Sequence, residues 1–356
     1  MTTIDLANSF RIQAQSCTEG GSPFYGALLG FAAQDLEPER PTALLMAPWM
    51  TSSVRDIFKD AAHLRLLAAL HELVLSGDDR DLAGAYPRPG MEVDAQAAWT
   101  AVRTAMTRHH DRIAAFMTHE PQTNEVRRSA CLAPGFLEIA KRTGLPIRAF
   151  EIGASAGLNL NWDRYAYRFG DTVWGDQTSP VRIDTEWTGA PPLVDAKVEV
   201  IHRAACDRRP SDLNDPIQRR RMLAYIWPDQ FERLARIRTA MDLTLALGVE
   251  VETADAAEWP ATVAVRKPGA VTVLYHSVFW QYMPPESQAK LTEIIENLGA
   301  QATPNAPFAW LRMEPQPGHL GPIMDVTLTM WPGGKEQVLA ETHPHGAWVK
   351  WHGVSP

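Results

Sequence analysis

The segment "AFEIGASAGLNLNW", residues 149–162, is compatible with two kinds of α/β protein. Its Gly-x-Ser-x-Gly pattern is typical of a turn between a strand and a helix that carries a nucleophilic serine, here Ser155. The same segment places Glu151 before Gly153 and Gly157, a pattern typical of a glycine loop that closes over a nucleotide-like cofactor. Both interpretations require a strand, a tight turn and a helix, so the rest of the chain has to decide between them.

The residues before this segment favour the cofactor loop. Residues 1–145 contain apolar residues at three- and four-residue spacing, as in "AAHLRLLAALHELVLSG", and few strand patterns, which predicts an all-helical N-terminal region. A serine nucleophile of this kind normally follows several strands and an HGGG-type oxyanion segment, and neither precedes Ser155. Glu151 has no function in a serine turn, whereas beside a cofactor it can organise the loop or meet an ammonium group. Downstream acids with His343 or His345 leave the hydrolase open as an alternative.

After residue 145 the pattern changes to short β-rich segments that alternate with helical ones. An α/β domain over residues 146–356 is therefore predicted, with a seven-stranded, mostly parallel, doubly wound sheet and a C-terminal antiparallel hairpin. Residues 165–196, rich in Gly, Pro, Asp and Trp, are predicted to be an insertion. The seven predicted strands are "IRAFEIG", "KVEVIHRAAC", "VEVETA", "VTVLYHSVFW", "FAWLRME", "IMDVTLTM" and "KEQVLAE".

Composition narrows the range of partners. A formal net charge of −8 argues against a nucleic-acid partner, which requires clustered Lys and Arg, and favours a small-molecule substrate. No apolar run reaches the roughly 18 residues that a membrane span needs, and the first residues lack the pattern of a signal peptide. Three widely spaced cysteines indicate reduced thiols, so we expect a cytoplasmic protein. A protein partner or a homo-oligomer stays open.

The glycine loop resembles motif I of the class I S-adenosylmethionine (SAM)-dependent methyltransferases, E/D-x-G-x-G-x-G, with Ser155 in place of the middle glycine. From residue 122 onward the chain also resembles a bacterial family catalogued as domain of unknown function 2332. The segments that carry this second resemblance are "QTNEVRRS", "EIGASAGLNLNWDRY", "YIWPDQ", "HSVFWQYMP", "AWLRMEP" and "HPHGAWVKW". Together the resemblances imply a SAM-methyltransferase-like fold with an N-terminal helical portion and SAM as cofactor. They imply no particular substrate.

The methyltransferase resemblance assigns cofactor-binding residues to the ends of successive strands. Asp207, at the end of the second strand, is expected to bind the ribose hydroxyls, with Asp184 and Glu186 as rivals because Asp207 follows the loop unusually late. Asp255 is expected to contact adenine, although an aspartate here also suits a helix N-cap. The full expected set is Glu151, Gly153, Ala154, Ser155, Gly157, Asn159, Asp207, Asp255, Ala256 and Ser277.

The segment after the fourth strand supplies the main catalytic candidate. His276 lies at the end of that strand, where it can act as a general base, and the alternative is a core histidine bonded to a neighbouring group. Glu125 and Tyr282 are the other catalytic candidates, although the segment around Glu125 also fits helix capping by Thr123. Substrate contacts are expected from Asn124, Trp162 and Gln281.

No metal site is expected, because His343 and His345 lack a third ligand at a recognisable spacing. The predicted function is methyl transfer from SAM to a small molecule. Two alternatives stay open: an enzyme of the same fold with elimination, cyclisation or hydrolysis chemistry, and a non-catalytic subunit that binds a cofactor or a partner.

Overall fold

The structure is a computed structural model that describes residues 3–316 and 323–353. The chain divides into two compact units. One comprises Met1–Thr123 and Asn214–Arg238, and the other comprises Asn124–Leu213 and Thr239–Pro356. The sequence predicted a single boundary after residue 145. The division lies earlier, and a second stretch of chain joins the helical unit.

The described residues form thirteen α-helices and eleven strands. None of the helices in these residues is both long enough and apolar enough to cross a bilayer. The helices are α1 (Thr3–Glu19), α2 (Pro23–Ala32), α3 (Pro41–Leu45), α4 (Val54–Lys59), α5 (Ala62–Ser76), α6 (Arg80–Ala85), α7 (Ala95–Arg108), α8 (His110–Met117), α9 (Ser129–Thr143), α10 (Pro216–Ala224), α11 (Phe231–Ala246), α12 (Trp259–Val263) and α13 (Pro285–Ala300). The strands are β1 (Ile147–Ile152), β2 (Ala166–Phe169), β3 (Thr172–Gly175), β4 (Arg182–Gly189), β5 (Val200–Asp207), β6 (Glu252–Thr253), β7 (Val271–Ser277), β8 (Phe308–Pro315), β9 (Met324–Trp331), β10 (Lys335–Thr342) and β11 (Trp348–Trp351).

The first unit is built from α1 to α8 together with α10. The apolar positions of α5 are buried, and this helix ends at Gly77 in the left-handed conformation, as its sequence predicted. Ala224, the last residue of α10, belongs to the same apolar core as α5. The carboxylate of Glu72 on α5 accepts hydrogen bonds from Arg112 at 2.7 Å and Arg220 at 2.6 Å. These contacts explain why residues 214–238 belong to the helical unit.

All eleven strands of the second unit form one sheet, in the order β3-β2-β4-β11-β10-β9-β8-β7-β1-β5-β6. Strands β6, β5, β1, β7 and β8, adjacent in that order, are parallel to one another. Strands β8, β9, β10 and β11 are antiparallel to one another in turn, and β11 is parallel to β4. Within the parallel part, the chain moves outward from β1 in one direction and restarts on its other side at β7.

Helices cover both faces of the parallel part of the sheet. Successive side chains of a strand point to opposite faces. Leu311 of β8 lies against Gly135 of α9, whereas its neighbour Trp310 shares an apolar cluster with Leu291 and Ile295 of α13. The α/β class is therefore confirmed, with helices α9 and α13 on opposite faces.

The predicted strand count was wrong. The seven predicted strands and the β9–β10 hairpin are present, but four further strands make the sheet eleven-stranded and mixed in direction. The predicted insertion, residues 165–196, forms β2, β3 and β4. These strands join the sheet because β11 pairs with β4, at Trp348 and Glu186. Such a pairing between distant segments has no local signal in the sequence.

Candidate functional site

The carboxyl ends of the central parallel strands bring several predicted residues together. The strand order reverses between β1 and β7, and open α/β sheets bind ligands outside the carboxyl ends of the strands at such a point. Glu151 lies near the end of β1, Asp207 ends the adjacent β5 and Ser277 ends β7. Asp255 follows β6, the next strand outward. We take this edge of the sheet as the candidate site.

The glycine loop after β1 has an unusual backbone conformation. Gly153, Ser155 and Gly157 all have positive φ, of 66°, 54° and 72°. For an L-residue such as Ser155 this region is disfavoured by about 1–2 kcal/mol. The loop is tied to β5, because the Ala154 amide donates to the Cys206 carbonyl at 3.1 Å and the Ser155 amide donates to Asp207 Oδ2 at 2.9 Å.

The segment after the loop is a 3-10 helix, Leu158–Arg164, and not the α-helix that the sequence predicted. Its first amide, that of Leu158, donates to Asn124 Oδ1 at 2.9 Å, and Asn159 Nδ2 donates to the Glu125 carbonyl at 3.2 Å. The Asn124 side chain thus satisfies an amide that has no acceptor within the helix, and Asn159 ties the helix start to residue 125. Since Asn124 already occupies the first amide, this helix start does not offer that amide to a ligand.

Asn124 and Glu125, predicted as a substrate contact and a catalytic residue, both hydrogen-bond the helix that follows the glycine loop. Glu125 Oε1 accepts a hydrogen bond from the Arg127 amide at 3.1 Å and caps the short 3-10 helix Val126–Arg128. Its side chain is buried. The sequence offered helix capping by Thr123 as the structural interpretation; a cap is present here, but the capping residue is Glu125.

Glu151 is a buried acid with a perturbed pKa. It is 2% exposed, and Tyr275 Oη donates to its Oε2 at 3.2 Å. Burial raises the pKa of Glu151 to about 8; the hydrogen bond from Tyr275 opposes this shift and the negative charge of Asp207 adds to it. The carboxyl group is therefore largely protonated at neutral pH. A strongly perturbed acid at a strand end is a feature of functional sites.

Four buried side-chain polar atoms in residues 153–164 lack a hydrogen-bond partner within the described residues, and two of them belong to the predicted cofactor-binding residues. These two are Ser155 Oγ, on a residue 5% exposed, and Asn159 Oδ1, on a residue 1% exposed. No imidazole in the described chain is thus hydrogen-bonded to Ser155, so the serine–histidine pair that the hydrolase alternative requires is not formed. Unpaired buried polar atoms are costly, and they mark positions where a ligand can donate or accept a hydrogen bond.

The structure distinguishes Asp207 from Asp184 and Glu186, the two other residues considered for binding the ribose hydroxyls. Asp207 Oδ1 accepts from the Arg209 amide at 2.8 Å while Oδ2 holds the loop, and the side chain is half-buried. Asp184 and Glu186 lie on β4, seven strand positions from β5 and thus roughly 30 Å away across the sheet. Only Asp207 belongs to the candidate site.

Asp255 and Ala256 form the turn that leads into α12. Asp255 Oδ1 accepts from the Ala257 amide at 2.9 Å, and the Asp255 carbonyl accepts from Trp259. Asp255 is exposed and Ala256 is buried. The helix N-cap that the sequence offered as an alternative is not formed by Asp255, because Glu258 is the N-cap residue of α12. Asp255 instead forms the turn before it, and its exposed carboxylate retains acceptor capacity.

His276 is fully buried and both of its ring nitrogens are engaged. Its Nδ1 lies 2.6 Å from Glu314 Oε1, and Trp310 Nε1 donates to its Nε2 at 3.0 Å. Because an indole N–H can only donate, Nε2 is the acceptor and Nδ1 carries the proton. This geometry favours the structural interpretation of His276 over that of a general base.

Two further residues, Glu314 and Phe279, lie at the carboxyl ends of the parallel strands. Neither was predicted from the sequence as a site residue. Glu314, at the end of β8, also accepts from the Phe279 amide, at 3.0 and 3.2 Å. The Phe279 ring lies directly against Gly153, where an added Cβ would be 2.1 Å from Phe279 Cδ2. The motifs "HSVFWQYMP" and "AWLRMEP" contain both residues, but only the tertiary contacts reveal what they do.

The remaining predicted residues lie outside the buried hydrogen bonds around Glu151. Trp162 is buried and stacks on Phe136 with a centroid distance of 3.9 Å. Gln281 is exposed, and Tyr282 is 74% exposed. The Ser277 carbonyl accepts a hydrogen bond from Arg128 at 3.4 Å. Trp162 is thus a core residue, and Tyr282 presents its ring to solvent.

No group of three or more His, Cys, Asp or Glu side chains in residues 3–316 and 323–353 is arranged to hold a metal ion.

Comparison with known proteins identifies the family. A search of curated proteins gave no match. The family model described as "Uncharacterized protein conserved in bacteria (DUF2332)" matches residues 7–351. Because this match covers nearly the whole chain, the protein belongs to that bacterial family.

Proposed function

We propose that the protein is a SAM-dependent methyltransferase-like enzyme that acts on a small molecule. The observation that carries the proposal is the set of acids at three neighbouring parallel strands, namely Glu151 in β1, Asp207 in β5 and Asp255 after β6. They lie at or after the carboxyl ends of these strands, next to the point where the strand order reverses, and nucleotide-type ligands bind at such a point.

The side chains at this edge fit an adenosyl ligand that carries an ammonium group. In the proposal, Asp207 binds the ribose hydroxyls, since a carboxylate can accept several hydrogen bonds, and Asp255 with Ala256 contacts adenine. Ammonium is a donor of three hydrogen bonds, and the unpartnered Asn159 Oδ1 is an acceptor close to the loop. In the proposal the positive charge of the ammonium group favours the ionised form of Glu151, which then accepts from it as well. The unpartnered Ser155 Oγ can serve either as donor or as acceptor.

SAM supplies a methyl group that is already activated for transfer. The protein therefore has mainly to orient the acceptor and to exclude water, and good alignment can contribute about 7 kcal/mol or more. The buried surroundings of Glu151 and Asn159 are suited to excluding water. In this proposal His276 anchors the turn after β7 and does not take the acceptor's proton.

The proposal is tested by calorimetric titration of the protein with SAM and S-adenosylhomocysteine. We expect both to bind, and we expect Asp207→Ala to weaken binding roughly tenfold to a hundredfold through loss of charged hydrogen bonds. Asp184→Ala is the matched control, because this carboxylate lies on β4 in an exposed ion pair with Arg168. Equal binding by the wild type and Asp207→Ala would contradict the assignment of Asp207.

The same titration separates the alternatives. A well-folded protein that binds neither compound would favour non-methylating chemistry on this fold. Tight binding without transfer to any acceptor in a library of small amines, alcohols, thiols and carboxylic acids would favour a non-catalytic subunit. Transfer of labelled methyl groups to one acceptor class would support the proposed activity.

A further inference from the structure

The Phe279 ring occupies the space beside the glycine loop that a ligand would approach. A Cβ built on Gly153 would lie 2.1 Å from Phe279 Cδ2 and 2.6 Å from its Cγ, so the ring fills this position. At the other glycine of the loop the contacts are looser, since a Cβ on Gly157 would be 3.0 Å from Val249 and Val251. Because residue 153 is a glycine, the Phe279 ring packs directly against its backbone. The space beside Gly153 is therefore filled by this ring and is not open to a ligand.

The turn that carries Phe279 is strained. Val278 has φ of 50°, a region that is especially unfavourable for a β-branched residue. Four non-glycine residues in the described part of the chain have positive φ, and two of them, Ser155 and Val278, follow the strands on either side of the point where the order reverses. Such conformations persist only where the surroundings enforce them, and they cluster at ligand clamps and switch regions.

The backbone of this turn is held by hydrogen bonds, whereas the Phe279 side chain is partly exposed to solvent. Glu314 accepts from the Phe279 amide and contacts His276 Nδ1, and the Val278 amide donates to the Met313 carbonyl at 2.8 Å. The Phe279 side chain itself is only half-buried. It contacts the His276 ring edge-on at a centroid distance of 5.9 Å. A rotation about the side-chain bonds can therefore carry the ring toward solvent while the anchored backbone stays in place.

We propose that Phe279 is a gate for the glycine loop: its ring covers Gly153 and swings away when a ligand with an extended arm binds along the loop. The inference rests on the proposed function, since it takes the adenosyl compound as that ligand. Closing the gate keeps water from the loop backbone. Because only open molecules can bind, the apparent affinity equals the intrinsic affinity multiplied by the fraction of molecules that are open.

Replacement of the ring tests the gate directly. We expect Phe279→Ala to bind S-adenosylhomocysteine about tenfold more tightly than the wild type, as for a gate that is open about one time in ten. Phe31→Ala is the matched control, because Phe31 is also a half-buried ring but lies in the helical unit. Its affinity should equal that of the wild type. Equal or weaker binding by Phe279→Ala than by the wild type would overturn the gate and leave the proposed function standing.

A second readout needs no ligand. The Gly153 backbone is a hydrogen-bond partner of the buried Cys206 thiol, and Phe279 packs against the apolar cluster that contains Cys206. Removal of the ring should therefore speed modification of Cys206 by a thiol reagent, followed by mass spectrometry of the labelled peptide. Should neither protein bind the adenosyl compound, the proposed function fails, and the labelling rate decides the gate alone. Faster labelling supports it, and an unchanged rate overturns it.

Discussion

Asp207 Oδ2 accepts a hydrogen bond from the Ser155 amide at 2.9 Å, and so the end of β5 holds the strained residue of the glycine loop. The residues are 52 positions apart in the chain, separated by the three strands β2, β3 and β4. The relationship gives Asp207 a structural function that is independent of any ligand. Its two functions can therefore be measured separately.

Asp207→Ala is expected to lower the free energy of unfolding by about 1–3 kcal/mol, because the Ser155 amide loses its partner. Asp207→Asn keeps an acceptor oxygen and should lose less than half as much. Both are measured by urea denaturation. Asp184→Ala removes an exposed ion pair with Arg168 and should cost less than about 1 kcal/mol. A larger loss at Asp184 than at Asp207 would contradict this account of the loop.

Gly153→Ala is expected to destabilise the protein by about 3–5 kcal/mol, since the added methyl group meets the Phe279 ring and the backbone has positive φ. Gly77→Ala isolates the backbone contribution: it also has positive φ, but no described atom lies within 4 Å of its added Cβ. This control should cost about 1 kcal/mol. In the Phe279→Ala background, Gly153→Ala should likewise cost only about 1 kcal/mol. A cost that is unchanged by removal of the ring would show that Phe279 does not fill the space.

Glu151 is expected to make the protein less stable as the pH rises. Its pKa is about 8 in the folded protein against 4.5 for an ordinary glutamate, so between these values the folded state binds more protons than the unfolded state. The free energy of unfolding therefore falls with pH across this range, by about 5 kcal/mol for full expression of the shift. Urea denaturation of the wild type and Glu151→Gln from pH 5 to pH 8.5 measures the difference.

Glu151→Gln should be relatively more stable at high pH, because it has no proton to lose. Glu296→Gln, an exposed acid on α13, should change with pH as the wild type does. Parallel pH profiles for the wild type and Glu151→Gln would mean that Glu151 is ionised throughout this range.

Trp310→Phe is expected to cost about 1–3 kcal/mol in unfolding free energy, because His276 Nε2 loses its donor. In the wild type, nitrogen NMR at pH 8 should show His276 protonated on Nδ1. Trp331→Phe is the control, since Trp331 is a half-buried indole on β9 with no hydrogen bond from its N–H in the described residues. If His276 is instead protonated on Nε2 at that pH, the arrangement with Trp310 is wrong.

Local sequence patterns were sufficient for most of the secondary structure. The spacing of apolar residues in α5 and the glycine at its end predicted that helix because both signals act within a few residues. The β-rich segments predicted seven strands for the same reason. Glu151, Gly153 and Gly157 marked the loop after β1, since a tight turn with positive φ requires glycine.

Other features arose only from contacts between distant segments. The four additional strands depend on the pairing of β11 with β4, and the grouping of α10 with the helical unit depends on the ion pairs of Glu72. The first amide of the 3-10 helix after the loop is bonded to Asn124, more than thirty residues earlier in the chain. A pattern within a short window carries no information about such partners.

The site shows the same division. The sequence by itself determined which chemical groups are available near the strand ends, namely the acids, the serine and the histidine. The tertiary structure decided their state: His276 is locked between Glu314 and Trp310, Glu151 is buried, and Phe279 covers Gly153. Burial and hydrogen bonding determine whether a polar group is free to act on a ligand, and both depend on segments that meet only when the chain is folded.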